Sequence, residues 1–269
     1  ERSTIPGFRT RVVFSGTVPP MGYAAYHFNQ KGGDVRHSCD GDADVLDGGI
    51  LTVKTMNENG GVEIQDNRDG SVYAITPEVR ADDGDVWSFN TCGFGDALEP
   101  FTPISAARTE SGDIKNVVRT RFGFRSSKME QRITVYPGRD YVDIAYRVDW
   151  DEPHTALKYR ITTPSAPDRI VAGVPGGLCE RGFDGEEYPL SETIELGDIT
   201  VMADSIFAYN TDKDTETAAL TLLRNPVCGD LRMDDPLRED EDYLYVGRGI
   251  HEGKLRVWLR HGSELSRTA

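Results

Sequence analysis

The chain has 269 residues, 38% of them hydrophobic, enough for one sizeable core or two smaller ones, and a β domain of this size is often single. Acidic residues number 45 against 30 basic ones, for a net charge of −15, which argues against nucleic acid and against an anionic membrane surface as partners. No run reaches the ~18 apolar residues of a membrane span, and Glu1-Arg-Ser-Thr-Ile-Pro lacks a charged-then-apolar leader.

The first predicted element is an opening β-hairpin within residues 1–31, two strands around Val18-Pro-Pro-Met-Gly-Tyr23. Residues 32–49 are polar and rich in Asp and Gly, which predicts a long loop. From residue 50 to 269 short alternating runs recur: Ile50–Thr55, Val62–Gln65, Val72–Ile75, Ile114–Phe122, Met129–Tyr136, Tyr141–Trp150, Leu157–Thr162, Ile199–Met202, Ser205–Tyr209, Ala218–Leu223 and Leu255–Leu259. In Tyr141–Trp150 the apolar set Val142, Ile144, Tyr146, Val148 and Trp150 faces one side, and Asp143, Ala145, Arg147 and Asp149 face the other. Asn59-Gly60-Gly61, Asp69-Gly70 and Pro137-Gly138 supply the turn chemistry of hairpins. No window shows a helix-length apolar stripe, and the best helical stretch, Met233–Asp242, contains Pro236 and many acids. The expected fold is all-β, a many-stranded antiparallel supersandwich with little helix.

Motifs with chemistry are few. Asp40-Gly-Asp42-Ala-Asp44 imitates the start of a calcium loop, but Val45 and Leu51 stand where that loop needs Gly and Glu. Cys92-Gly-Phe-Gly-Asp96 lacks the third glycine and the following helix of a nucleotide site. The P-loop, zinc-protease and nucleophile-elbow signatures are absent. His27, His37, His154, His251 and His261 show no metal-ligand spacing, and Cys39, Cys92, Cys179 and Cys228 form no C-x-x-C pair. Free thiols in a reducing cytoplasm are the plain reading of the cysteines, with a disulfide as the alternative. Trp87, Trp150 and Trp258 are all expected in the core.

Several separated segments, in order, resemble the C-terminal region of glycoside hydrolase family 38 α-mannosidases. They include Val18-Pro-Pro-Met-Gly-Tyr23, Asp83-Gly-Asp85-Val-Trp-Ser-Phe89, Tyr141-Val-Asp-Ile with Val148-Asp-Trp150, Ala203-Asp-Ser-Ile-Phe-Ala-Tyr209, Leu222-Leu-Arg224-Asn-Pro226 and Gly249-Ile-His-Glu252. The resemblance implies a galactose-mutarotase-like supersandwich belonging to a longer enzyme, consistent with a first residue that is Glu. It implies a parent that hydrolyses terminal α-mannosides with retention, using zinc and carboxylates of an N-terminal catalytic domain of the same polypeptide. No catalytic or metal residue is therefore carried onto this chain.

The implied role here is to support that domain, with mannose-containing glycans met through the parent, a homo-oligomer as a further assembly, and a cytoplasmic location. Val174–Gly185 resembles a connection that leans toward the active site, which makes Glu180 and Arg181 the candidate substrate-binding residues. A solvated surface ion pair is the competing account of both. Two other functions share the fold class. One is a carbohydrate-binding module, which needs an aromatic-lined face. The other is an aldose mutarotase, which needs a His and a carboxylate at the anomeric centre.

Overall fold

The computed structural model of the protein describes residues 13–27, 44–56, 58–86, 94–212, 215, 217–228 and 242–260. Among these it has no helix. Its strands are β1 (Val45–Asp47), β2 (Leu51–Met56), β3 (Gly61–Asp66), β4 (Val72–Ala81), β5 (Thr102–Glu110), β6 (Asn116–Phe124), β7 (Ser127–Val135), β8 (Tyr141–Trp150) and β9 (Thr155–Thr162). After them come β10 (Ile170–Val174), β11 (Gly177–Arg181), β12 (Glu187–Pro189), β13 (Thr193–Leu196), β14 (Ile199–Ala203), β15 (Ala208–Asp212), β16 (Thr217–Arg224) and β17 (Gly249–Leu259).

All ladders between them are antiparallel. They form an eight-stranded sheet, β1-β2-β3-β4-β9-β16-β15-β12, and a nine-stranded sheet, β11-β10-β13-β14-β17-β8-β7-β6-β5. The all-β supersandwich expected from alternation is the fold found.

Alternation decides what each strand buries. On β8, Val142, Ile144, Tyr146, Val148 and Trp150 are buried, and the residues between them face outward. Ile133 and Val257 on the flanking strands join them, and from the other sheet come Val53, Ile64, Leu157, Tyr159, Ile161 and Leu220. One contiguous cluster thus lies between the sheets, and Tyr146 meets Tyr159 edge-on across it at 5.9 Å. The predicted turn glycines do the work expected of them: Gly60, Gly70 and Gly138 have φ of 79°, 80° and 72°.

Several elements differ from the sequence reading. Val45–Asp47 is a strand at the end of the predicted loop, because Leu46 is buried and the segment pairs with β2. Residues 13–27 contain a turn closed by the Gly22 N–H to Pro19 O at 3.1 Å, with no strand assigned, and their side chains face solvent. The strand placed at Ser205–Tyr209 begins at Ala208. Strands β5, β10, β11, β12 and β13 carry no alternation the sequence reading detected. β5 pairs with β6 through two register shifts, at Pro103/Ser105 and Arg108/Glu110, so its periodicity is broken. The stretch Met233–Asp242, most of the acidic calcium-like loop, Trp87, His37, His261, Cys39 and Cys92 lie outside the described residues, except that Asp242 and Asp44 are described and non-helical.

The chain first passes from the nine-stranded to the eight-stranded sheet between β8 and β9, at Asp151–His154. Buried Glu152 fixes this crossing: its Oε1 accepts the backbone N–H of Ser126 and Ser127 at 3.0 and 3.1 Å and their hydroxyls at 2.7 and 2.8 Å. Its carbonyl accepts the Thr155 hydroxyl and the Asn225 amide, both at 2.8 Å. The Trp150 indole donates to the same Thr155 hydroxyl at 3.1 Å.

Truncating Glu152 would leave four donors without their acceptor, two of them on fully buried Ser127. Glu152→Ala is therefore expected to cost about 3 kcal/mol of stability, whereas Glu152→Gln keeps an oxygen at the same place and retains most of it. Denaturant unfolding of the two variants checks this.

Candidate functional site

The outward faces of the two sheets differ in kind. On the eight-stranded sheet, Lys158 of β9 is fully buried, ion-paired with Glu187 of β12 at 2.7 Å and covered by the Phe94 ring, 4.4 Å from Nζ. Burial pushes the Lys158 ammonium down to about 8, against the pull of Glu187. Beside it Glu78 links Arg80 and Arg160, and Arg224 holds Asp82 through two bonds of 2.8 and 2.9 Å. Burial raises the Glu78 carboxyl, but its two arginine partners outweigh this and hold it below its ordinary value. Among the described residues this layer is internally paired, and the Lys158–Glu187 pair ties β12 to the sheet.

The nine-stranded sheet instead presents an open groove of about 1180 Å³. Its floor is made of short side chains: Thr134, Ala145, Gly173, Ser191 and Thr193. Along one side Asp143 of β8 accepts Arg256 Nε and Nη2 from β17 at 2.6 and 2.9 Å, and the Tyr136 hydroxyl at 2.9 Å. The Arg256 guanidinium lies 4.0 Å over the Tyr141 ring, and Tyr136 and Tyr141 are 5.3 Å apart. The hydrogen bond to Asp143 raises the Arg256 pKa further, while burial and then the Asp143 bond push the Tyr136 phenol up to about 12.

Trp258 stands opposite Tyr141 in the ladder, on the outward side and half-buried, which corrects its placement in the core. Trp150 is in the core as expected. Sequence reasoning named Asp143, Ala145 and Arg147 as an outward set but gave them no role. The groove becomes visible only when register aligns them with β7 and β17.

The predicted substrate residues lie elsewhere. Val174–Gly185 is a hairpin arm, not a free loop: β10 and β11 pair through a turn at Gly176, φ 88°. Glu180 and Arg181 are neighbours on edge strand β11, so they point to opposite faces and do not converge. Glu180 pairs with Arg169 at 3.2 Å, both groups about half exposed. The Arg181 guanidinium lies 4.0 Å over the Tyr188 ring of β12, so it bridges the edges of the two sheets, and its Nε is buried without a hydrogen-bond partner. Tyr188 in turn donates to Asp184.

Among the described residues no group of three or more His, Cys, Asp or Glu could hold a metal ion, so they do not fit a zinc centre. His154 bonds the Tyr245 hydroxyl at 2.9 Å, and His251 the Gly247 carbonyl at 2.7 Å. Neither lines the groove. Cys179 and Cys228 are free.

Residues 47–232 match the model of the glycosyl hydrolases family 38 C-terminal domain. The chain belongs to this family. Two solved structures share the fold of this family 38 domain. One is an α-mannosidase from Enterococcus faecalis V583 (TM-score 0.65, 14% identity, 81% of this chain and 29% of that one). The other is a glycosyl hydrolase family 38 protein from Enterococcus faecalis (TM-score 0.63, 15% identity, 81% and 30%). The chain therefore spans about three-tenths of the length of each. No curated protein matches it. No helix among the described residues is long and apolar enough to cross a membrane.

Tyrosine ionisation gives the protein a pH signature, with Tyr136 as its member in the groove. Tyr73, Tyr136 and Tyr209 are all pushed up to about 12, mainly by burial. Their folded pKa is above the unfolded value of about 10, so the stability they contribute is full below that pH and is lost as pH rises through 12. Phenolate absorbance should show a tyrosine class titrating near 12, diminished in Tyr136→Phe, with unfolding following its ionisation.

Proposed function

We propose that this chain is the non-catalytic C-terminal domain of an α-mannosidase. Its parent hydrolyses terminal α-mannosides with retention, using zinc and carboxylates held by an N-terminal catalytic domain of the same polypeptide. The observation that carries this reading is the family 38 C-terminal match over residues 47–232 in a chain that spans three-tenths of its structural neighbours. The sandwich supports it in physical terms. A core closed on both sides by ladders, with Glu152 locking the crossing, is the rigid platform that positions loops and a neighbouring domain for chemistry done elsewhere.

Within this reading Arg181 is the substrate-facing residue. Stacking on Tyr188 pre-sets the guanidinium, a charged and directional donor to a sugar hydroxyl. Glu180, committed to Arg169, contributes less. The outward pair Tyr141 and Trp258 favours a second reading, a module that binds mannose-containing glycans by ring stacking. The mutarotase reading has no histidine in the groove to support it among the described residues.

The chain alone, folded and supplied with zinc, is expected not to hydrolyse an aryl α-mannoside. Turnover that survives repurification would overturn the division of labour. In the full-length enzyme, Arg181→Ala is expected to raise KM about tenfold, the cost of one charge-assisted hydrogen bond. Unchanged kinetics would remove Arg181 from the site.

A further inference from the structure

We propose that a row of three cations on the outward face of the nine-stranded sheet is a binding site for a phosphorylated saccharide. In the ladder Arg119 of β6 stands directly opposite Arg132 of β7, Arg132 opposite Ala145 of β8, and Ala145 opposite Lys254 of β17. Arg132, Ala145 and Lys254 all line the groove. Like charges directly across a ladder are destabilising. Here two arginines face one another, and Ala145 places no carboxylate between Arg132 and Lys254. Strands ~4.8 Å apart set the α-carbons of Arg132 and Lys254 roughly 10 Å apart over that alanine. Two long side chains close such a gap around a single oxyanion.

Most of the acids bordering the row have their closest partner outside it. Glu110 pairs with Lys115 at 2.6 Å and reaches Arg132 only at 3.7 Å. Glu130 pairs with Arg121 at 2.8 Å, Asp143 with Arg256 at 2.6 Å, and Glu252 with Arg147 at 2.9 Å. Asp204 accepts the Lys254 backbone N–H at 2.8 Å. Among the described residues neither Arg119 nor Lys254 has an ion pair, in a chain whose net charge is −15. Two of the three cations in the row thus lack a carboxylate partner in a protein with an acid surplus, although Glu192 and Asp204 also line the groove, and such a row is suited to an anion from outside.

The rest of the groove suits a sugar. The hydroxyls of Thr134, Ser191 and Thr193 line it and have no side-chain partner among the described residues, and Tyr136 lies on the rim. Tyr141 and Trp258 offer aromatic surface one row away. A dianionic phosphate on the cations with the ring over the short floor residues fills both halves.

Calorimetric titration of the 269-residue chain with inorganic phosphate, mannose, mannose-6-phosphate and glucose-6-phosphate tests this. The hexose phosphates are expected to bind about tenfold more tightly than phosphate and to weaken as salt rises, with mannose giving no heat. Arg132→Gln and Lys254→Gln should each weaken binding about tenfold. Ala145→Glu should abolish binding and raise the melting temperature of the free protein, since it puts a carboxylate into the like-charged row. That gain of stability separates an electrostatic site from a variant that folds poorly.

Equal binding of the two hexose phosphates supports the site, which does not depend on mannose being the parent's substrate. Phosphate binding as tightly as the sugar phosphates would overturn the saccharide assignment. Absence of binding, or binding unchanged in Ala145→Glu, would overturn the site.

Discussion

The two sheets are built by one chain that changes layers repeatedly, and the crossing at Asp151–His154 shows the physical problem each change poses. A reversal between layers leaves backbone donors and carbonyls with no ladder to join. Glu152 resolves this by turning its carboxylate back onto Ser126 and Ser127, at the mouth of the neighbouring hairpin, and its carbonyl onto Thr155 and Asn225. The Asn225 oxygen takes the Gly247 N–H at 2.8 Å, which brings the start of the last strand to the same point. Strands from both sheets are thus referred to one buried residue, through its carboxylate on one side and its carbonyl on the other.

The outward faces then diverge because of what covers them. Over the eight-stranded sheet Phe94 lies against Lys158 and Arg224 at 4.4 and 5.3 Å, and the charges beneath it find partners within the protein. That is the condition for burying a lysine at all, since an unpaired one would be expelled or neutralised. Over the nine-stranded sheet the groove stays open, charges are paired in rows across strands, and an unmatched row is tolerable because water and ions reach it. One fold therefore carries a structural polar layer on one side and a surface available to ligands on the other.

How much of this the sequence displayed depends on whether one strand or several carried the signal. Tyr141–Trp150 was legible to the residue because its apolar and polar sets alternate without interruption. β5 was not, since two register shifts break its period and none of its side chains is fully buried. The short edge strands β11 and β12 likewise lack a buried face to read. The resemblance located the family but not the groove. Arg119, Arg132 and Lys254 are scattered along the chain, and the whole-chain charge of −15 pointed away from any anion. Only register gathers them. The apolar character of its strand predicts a core position for Trp258, yet parity places it outward, beside Tyr141.

The irregular pairing of β5 has a consequence beyond its own geometry. Among the described residues the sheet of nine strands ends there, and a regular strand at an open edge can template a copy from another molecule. The offsets at Pro103/Ser105 and Arg108/Glu110, together with a proline that offers no amide hydrogen, make that edge a poor match for any incoming strand. A protein made almost wholly of ladders thus has, at one of its edges, a strand whose broken periodicity disfavours edge-to-edge growth.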